Sequence, residues 1–342
     1  MTTMRAAVMY EQGPASVLKI ETIPIPDIAP HEVLLRIKSS GVSYHDVVER
    51  NGTYRFNVHF PMIIGYELSG IVERVGGAVQ TLAEGDRVCC KPFHSCGMCR
   101  LCRNGHETAC EKRQPVRGGY AEFTAIAEET LVKIPDNVSF DHACMMGAAT
   151  GVALNAVRDT AHVTLGDTVL VTGASGGLGL PSIELARAAG ATVIAVSRSE
   201  HKRQALLDIG ADHVVIAGDG EDFSKEVKAL TDGQGVSVVI DNVGSRVFTP
   251  SFRSMAIAGR YAFVGQLFRE NISINPALIF FKRAQLLGVG SVRRDQLEDA
   301  VKLVAAGKVH PQVAAVLPLE DVARAHEMVE AGDQIGRVVL HP

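Results

Sequence analysis

The chain has 342 residues, long enough to bury two apolar cores rather than one. Its 34 Lys and Arg and 38 Asp and Glu are interspersed and leave a formal charge of −4, so neither a nucleic acid nor an anionic membrane surface is expected as a partner. No apolar run approaches the ~18 residues of a membrane span, and the start MTTMRAAVMYEQG lacks the charged-then-apolar pattern of a secretory leader, which makes the cytoplasm the expected location.

Up to about residue 140, runs such as VLLRIKSS (33–40) and SGIVERVG (69–76) read as short strands. Glycines and the proline cluster IPIPDIAP (23–30) separate them, as in an irregular all-β domain. Four of the 7 cysteines, Cys96, Cys99, Cys102 and Cys110, fall in CGMCRLCRNGHETAC. An odd cysteine count without an export pattern argues for reduced thiols, some of them on a metal. Four thiolates around one zinc leave no open position for water or substrate, so this zinc is expected to fold a lobe (about 93–113) rather than to do chemistry. An iron–sulfur cluster and a metal-free cluster are the alternatives, the first a poor match to ferredoxin spacings. Cys89, Cys90 and Cys144 are expected as buried small apolar residues.

From about residue 150 the rhythm changes to TVLVT, LGLPSIELARAAG, TVIAVS, HKRQALLDIG, HVVIAG, VSVVIDNVG, RVFTPSFRSMAI and GRYAFVG. Apolar strands alternating with amphipathic helices imply an α/β domain, a doubly wound parallel sheet with helices on both faces. TVLVTGASGGLG sets Gly173, Gly176 and Gly179 between a strand and a helix, with Ser175, Gly177 and Leu178 in the same loop. Such a loop lets a pyrophosphate approach backbone N–H groups at a helix N-terminus. The next strand ends at Ser197-Arg198-Ser199, where an NAD-preferring fold carries an acid for the ribose 2′-hydroxyl. Ser197, Arg198 and Lys202 suit a 2′-phosphate instead, so NADP(H) is the expected cofactor; if both cations are merely solvated, NAD remains open. Thr150, at the domain join, and Asn242, Val243, Gly265 and Gln266, at strand ends, are expected beside the nicotinamide half.

These motifs, with GVSYHD (41–46), GYELSGIV (65–72), EGDRV (84–88), GGYAEF (118–123) and VVIDNVG (238–244), resemble the medium-chain, zinc-type alcohol dehydrogenase and quinone reductase superfamily over nearly the whole chain. The resemblance implies a GroES-like β-domain over 1–146 and a Rossmann domain over 147–286, with 287–342 rejoining the first. The positions of the family's catalytic zinc ligands fall on Ser43, Tyr66 and, less firmly aligned, Met146, all poor zinc ligands. A displaced metal on His45, Glu67 or Cys144 is the alternative, and Asp46 and Glu67 look like the acids that would support the missing zinc.

Without that Lewis acid, hydride addition to an activated alkene is easier than alcohol oxidation. The resemblance therefore implies an NADPH-dependent reductase of enoyl-CoA thioesters, enones or quinones, with a look of the acryloyl-CoA reductase type. Tyr54, in RNGTY, is first in line as hydrogen-bond donor, followed by Tyr44, Tyr66 and His45. Arg50, Arg55, Lys282, Arg283, Arg293 and Arg294 are candidate contacts for CoA phosphates. An alcohol dehydrogenase and a non-catalytic NADPH-binding protein are the competing readings. The apolar stretch AQLLGVG (284–290) at a sheet edge implies a homodimer or homotetramer.

Overall fold

The strand Glu32–Val42 buries Val33, Leu35 and Ile37 and is the hub of one antiparallel-rich sheet. Glu67–Val75 pairs along one edge; Phe123–Ala127 and Arg337–His341 share the other. The full order is Val313–Pro318, Arg337–His341, Glu32–Val42, Glu67–Val75, Arg87–Cys90 and Leu131–Lys133, with Phe123–Ala127 paired to Glu32–Val42. The C-terminal strand is thus an integral member of the N-terminal sheet. The computed structural model describes residues 2–53 and 58–342 and divides into two units, Met1–Gly151 with Ser291–Pro342, and Val152–Gly290.

The first unit is not purely β. Immediately after the hub strand, Ser43 caps the helix Tyr44–Asn51. Its hydroxyl accepts from the Asp46 N–H while the Asp46 carboxylate accepts from the Ser43 N–H at 2.9 Å, a reciprocal capping box that switches the chain from strand to helix.

The second unit is an all-parallel six-stranded sheet in the order His213–Ile216, Thr192–Ser197, Thr168–Val171, Val236–Asp241, Met255–Phe263 and Gln285–Gly288. Strand order reverses between Thr168–Val171 and Val236–Asp241, and the C-terminal ends at such a switch point are where dinucleotides bind. The helix expected to run to Ile257 stops earlier, at Ser254. Met255 then turns extended, and Ala258 with φ 62° absorbs the extra residue as a bulge in the following strand. Among the described residues no helix is long and apolar enough to cross a membrane.

Gln285–Gly288 is the terminal strand of this sheet, and beside it the helix Pro276–Lys282 exposes Leu278, Phe280 and Phe281. Such an edge would pair with a second copy by two-fold pairing of the same strand, extending both sheets antiparallel. Light scattering is expected to report a dimer or tetramer, and Phe281→Glu with Leu286→Lys to give a monomer; a monomeric wild type refutes the assignment.

Candidate functional site

Cys96, Cys99, Cys102 and Cys110 bring their sulfurs within 4.8 Å of one another. Cys96 and Cys110 are 3.5 Å apart, as are Cys99 and Cys102. A tetrahedral zinc with bonds of about 2.3 Å sets sulfurs about 3.8 Å apart, so this donor set fits one such ion. The backbone N–H groups of Cys96, Cys99, Cys102 and Lys112 all donate to these sulfurs, as suits thiolates. N–H donation from Cys102 and Glu111 pulls the Cys99 thiol down to about 6, whereas burial among the other sulfurs pushes Cys102 up to about 12. The lobe is anchored by Lys91, whose buried ammonium lies 3.0 Å from both Glu107 and Glu129.

In the second unit two glycines are dictated by geometry. Gly173 takes φ 58°, and a Cβ on Gly179 would stand 2.4 Å from the Gly173 carbonyl oxygen, so only glycine lets the helix Gly179–Ala188 start this close to the strand end. The Gly176 N–H closes the turn onto the Gly173 oxygen, Gly177 follows it, and the Leu178 oxygen accepts from the Ser182 N–H and hydroxyl. Beside this loop the Lys202 ammonium donates to Ser175 Oγ at 3.3 Å, from a side chain that is buried rather than solvated. Ser197 Oγ accepts from the Ser199 N–H. Arg198 is exposed, with Asp219 4.0 Å away, and Glu200 is bonded to Arg203.

A residue that sequence reasoning passed over organises the neighbouring strand end. Asp241 is fully buried; its Oδ1 accepts from the Thr172 hydroxyl at 2.7 Å and from the Val243 and Gly244 N–H groups, and its Oδ2 accepts from the Tyr261 hydroxyl at 2.7 Å. Asn242 donates from Nδ2 to the Thr172 oxygen at 2.9 Å, while its buried Oδ1 finds no donor among the described residues. Gly265 donates to the Asp241 oxygen, and Gln266 ties Ser245 and Glu270 together. A close-approach glycine loop, an adjacent ammonium and an orphaned acceptor at a switch point fit a dinucleotide. Thr150 lies in the first unit, buried in a π-helical turn, Met146–Gly151.

The expected ligand positions of a catalytic zinc hold a hydrogen-bonded file instead. Ser43 Oγ is 2.7 Å from the Tyr66 hydroxyl and 2.8 Å from Asp46 Oδ2. Met146 is fully buried. The Cys90 thiol, pushed up to about 12 by burial, donates to the Tyr66 oxygen, and the Cys144 thiol, raised by burial as well, donates to the Asp141 oxygen. Among the described residues the cysteine lobe supplies the one group of His, Cys, Asp and Glu spaced for a metal. Two hydroxyls satisfied by each other, a thioether and neutral thiols do not fit a catalytic zinc.

Burial pushes the Asp46 carboxyl up to about 7, with Glu67 and Glu49 adding to the rise against hydrogen bonds from Ser43. Glu67 is also fully buried, but its Oε1 accepts from Arg337 at 2.8 Å. His45 places its ring edge-on to Tyr66, centroids 4.7 Å apart, and the surrounding protein together with Arg117 and Arg113 lowers its affinity for a proton against the pull of Glu49. Tyr44 is half-buried against the apolar cluster containing Val42 and Val47. Tyr54 and Arg55 lie outside the described residues.

Of the basic residues expected to meet a CoA phosphate, Arg50 is corrected: it is 1% exposed and bonded to Glu330 at 2.7 Å, so it faces inward. Lys282 donates to the Met255 oxygen, Arg293 pairs with Asp295 and Arg294 with Glu298. Arg283 closes its helix in left-handed backbone. The Glu67–Arg337 and Arg50–Glu330 pairs join residues far apart in sequence, and no local motif announces them.

Arg337→Met, which strands the Glu67 carboxylate, is expected to cost about 3–5 kcal/mol in denaturant unfolding. Much of that loss should return in Glu67→Gln/Arg337→Met. Asp46 ionises near pH 4 when unfolded but only near about 7 in the fold. The native state therefore holds the extra proton, and this group lowers stability as pH rises through that interval. Asp46→Asn should flatten the pH dependence of unfolding there, and an unchanged slope would refute the protonated carboxyl.

Residues 29–136 match the family model described as alcohol dehydrogenase GroES-like domain, and residues 177–306 the one described as zinc-binding dehydrogenase. An acryloyl-coenzyme A reductase of Sulfurisphaera tokodaii is 31% identical over 96% of this chain and 98% of its own. A quinone oxidoreductase of Rattus norvegicus is 29% identical over 98% and 97%. The crystal structure of AibC superposes with a TM-score of 0.93 at 39% identity, over 99% of this chain and 96% of that one. With both domain models matched and relatives aligned end to end, this chain belongs to the medium-chain dehydrogenase/reductase superfamily and is an oxidoreductase.

Proposed function

We propose that the protein is an NADPH-dependent reductase of α,β-unsaturated carbonyl compounds, enoyl-CoA thioesters first among them, working without a catalytic zinc. The observation that carries this reading is the 2.7 Å hydrogen bond between Ser43 and Tyr66, which puts two hydroxyls where metal-dependent alcohol oxidation needs soft ligands. Relatives named acryloyl-coenzyme A reductase and quinone oxidoreductase support it.

The dinucleotide supplies hydride when bound. Gly173, Gly176 and Gly179 admit its pyrophosphate to backbone N–H groups, and Asn242 Oδ1 offers an acceptor to it. Arg198 and Lys202 favour the extra phosphate of NADPH, because the nearby acid Glu200 is spent on Arg203. The four cysteines hold a zinc that shapes their lobe. On the substrate side, an enone or thioester carbonyl needs only hydrogen-bond donors as negative charge gathers on its oxygen. Neutral phenols and imidazole near Ser43 are of that kind.

The deciding assay compares acryloyl-CoA, a simple enone and the matching saturated aldehyde, with NADPH and NADH side by side. Cofactor oxidation is expected with the conjugated substrates only. Arg198→Ala/Lys202→Ala should raise the KM for NADPH by about tenfold or more while sparing that for NADH. Metal analysis should return one zinc per chain. Turnover of the saturated aldehyde at a matching rate, or two zincs, would refute the proposal.

A further inference from the structure

Tyr66, Ser43 and Asp46 stand in single file. Asp46 is fully buried, Ser43 is 3% exposed and Tyr66 is half-buried, with burial, Glu67 and Asp46 holding its phenol above the usual value. Ser43 Oγ lies within hydrogen-bond distance of both neighbours, 2.8 Å from Asp46 Oδ2 and 2.7 Å from the Tyr66 hydroxyl. A serine hydroxyl has one proton to give, so its single donation fixes the direction of both bonds. When Asp46 is a carboxylate, Ser43 donates to it and Tyr66 donates to Ser43, leaving Tyr66 only a lone pair to offer outward. When Asp46 carries a proton, the carboxyl donates to Ser43 and Ser43 donates to Tyr66. The phenol proton is then free to leave the file.

We propose that Tyr66, Ser43 and Asp46 form a proton relay, in which the Tyr66 phenol protonates the α-carbon of the substrate and is refilled from the Asp46 carboxyl through the Ser43 hydroxyl. The relay rests on the alkene-reduction reading. Once hydride has reached the β-carbon, the π electron pair lies on the carbonyl oxygen and α-carbon as an enolate. The α-carbon then forms a C–H bond with the phenol proton, and the carbonyl is restored. Tyr66 oxygen takes the Ser43 proton, Ser43 takes the Asp46 proton, and Asp46 remains as a carboxylate. Between turnovers a solvent proton enters at Tyr66, the least buried of the three, and the shifts run in reverse. Each cycle thus consumes one hydride and one proton.

The charges around Asp46 suit a proton store. Glu67 and Glu49 disfavour a second negative charge, and the Tyr120 phenol faces the carboxyl as well. The nearby cation, Arg337, is committed to Glu67. Tyr66 is the catalytic residue of the set; Ser43 and Asp46 act through it as positioning residues.

Two measurements test the relay. Infrared difference spectra of the full-length protein are expected to show a protonated-carboxyl band that is absent from Asp46→Asn and displaced in Ser43→Ala and Tyr66→Phe. With acryloyl-CoA and NADPH, Tyr66→Phe should lose about 10²-fold or more in kcat with little change in KM. Ser43→Ala should lose kcat and alter the solvent deuterium effect, and Ser43→Thr, which keeps a hydroxyl, should restore both. Ser43→Gly replaces Ser43→Ala if the latter does not fold, because glycine is also accepted at a helix N-cap. The relay is overturned if no Asp46-dependent band exists, or if Ser43→Ala and Tyr66→Phe turn over like wild type with the same isotope effect. It is overturned too if Tyr54→Phe abolishes turnover while Tyr66→Phe does not. A wild type that shows the band but reduces no conjugated acceptor sinks the alkene-reduction reading, and the relay's role with it, while leaving the hydrogen-bonded file in place.

Discussion

Charge balance inside the first unit is the constraint on which the site depends. Two carboxyls, Asp46 and Glu67, are both fully buried, and the guanidinium of Arg337 is bonded to one of them. Burying two carboxylates with a cation bonded to only one of them favours the neutral form of the other. Burial, helped by Glu67 and Glu49, pushes the Asp46 carboxyl up to about 7. A divalent metal would have changed the balance by adding positive charge. The positions expected to carry one hold the hydrogen-bonded hydroxyls of Ser43 and Tyr66.

The nucleotide-binding unit meets its own charge problem differently, mostly with backbone. Its buried acid, Asp241, is surrounded by donors: the Thr172 and Tyr261 hydroxyls and the N–H groups of Val243 and Gly244. Those bonds counter the rise in pKa that burial imposes. They also fasten the ends of the strands Thr168–Val171 and Val236–Asp241 to one another, at the reversal of strand order. The carboxyl is therefore a clamp on the turn rather than a partner for a ligand, and the orphaned Asn242 Oδ1 beside it is the atom left for a ligand to satisfy. Burial pushes both acids up, but Asp241 has donors on both carboxylate oxygens, whereas Asp46 Oδ1 has none among the described residues.

Features encoded by short-range spacing were legible in the sequence. Cysteines separated by two, two and seven residues converge because a tight turn and one helical turn suffice to gather them. The strand–glycine–helix run from Thr168 to Ala188 is likewise local, and the alternation after residue 150 is enough to imply a parallel sheet. The helix Tyr44–Asn51 was legible too, in the S-x-x-D of SYHD, but the surrounding strand pattern hid it. Arg50 illustrates what was not legible. An arginine beside an asparagine and a glycine reads as surface, and nothing nearby shows that Glu330, 280 positions away, will meet it in the interior. The Glu67–Arg337 pair is of the same kind, since it exists because the C-terminal strand Arg337–His341 pairs with Glu32–Val42.

That pairing also holds the first unit together around Ser43 and Tyr66. Arg337 is delivered to Glu67 by sheet register, with Val338 opposite Val42 and Leu340 opposite Ser40, and not by any metal. Ser43 is held by its role as helix cap as well as by its bond to Tyr66. Ser43, Tyr66 and Glu67 therefore each have a hydrogen-bond partner that needs no metal. A thiolate restored at position 43 would forfeit the Ser43 hydroxyl that accepts from the Asp46 N–H, and would face a phenol at position 66 and a thioether, Met146, sealed in the core. Single substitutions at 43 or 66 thus disturb an existing hydrogen-bonded arrangement before they assemble a metal site.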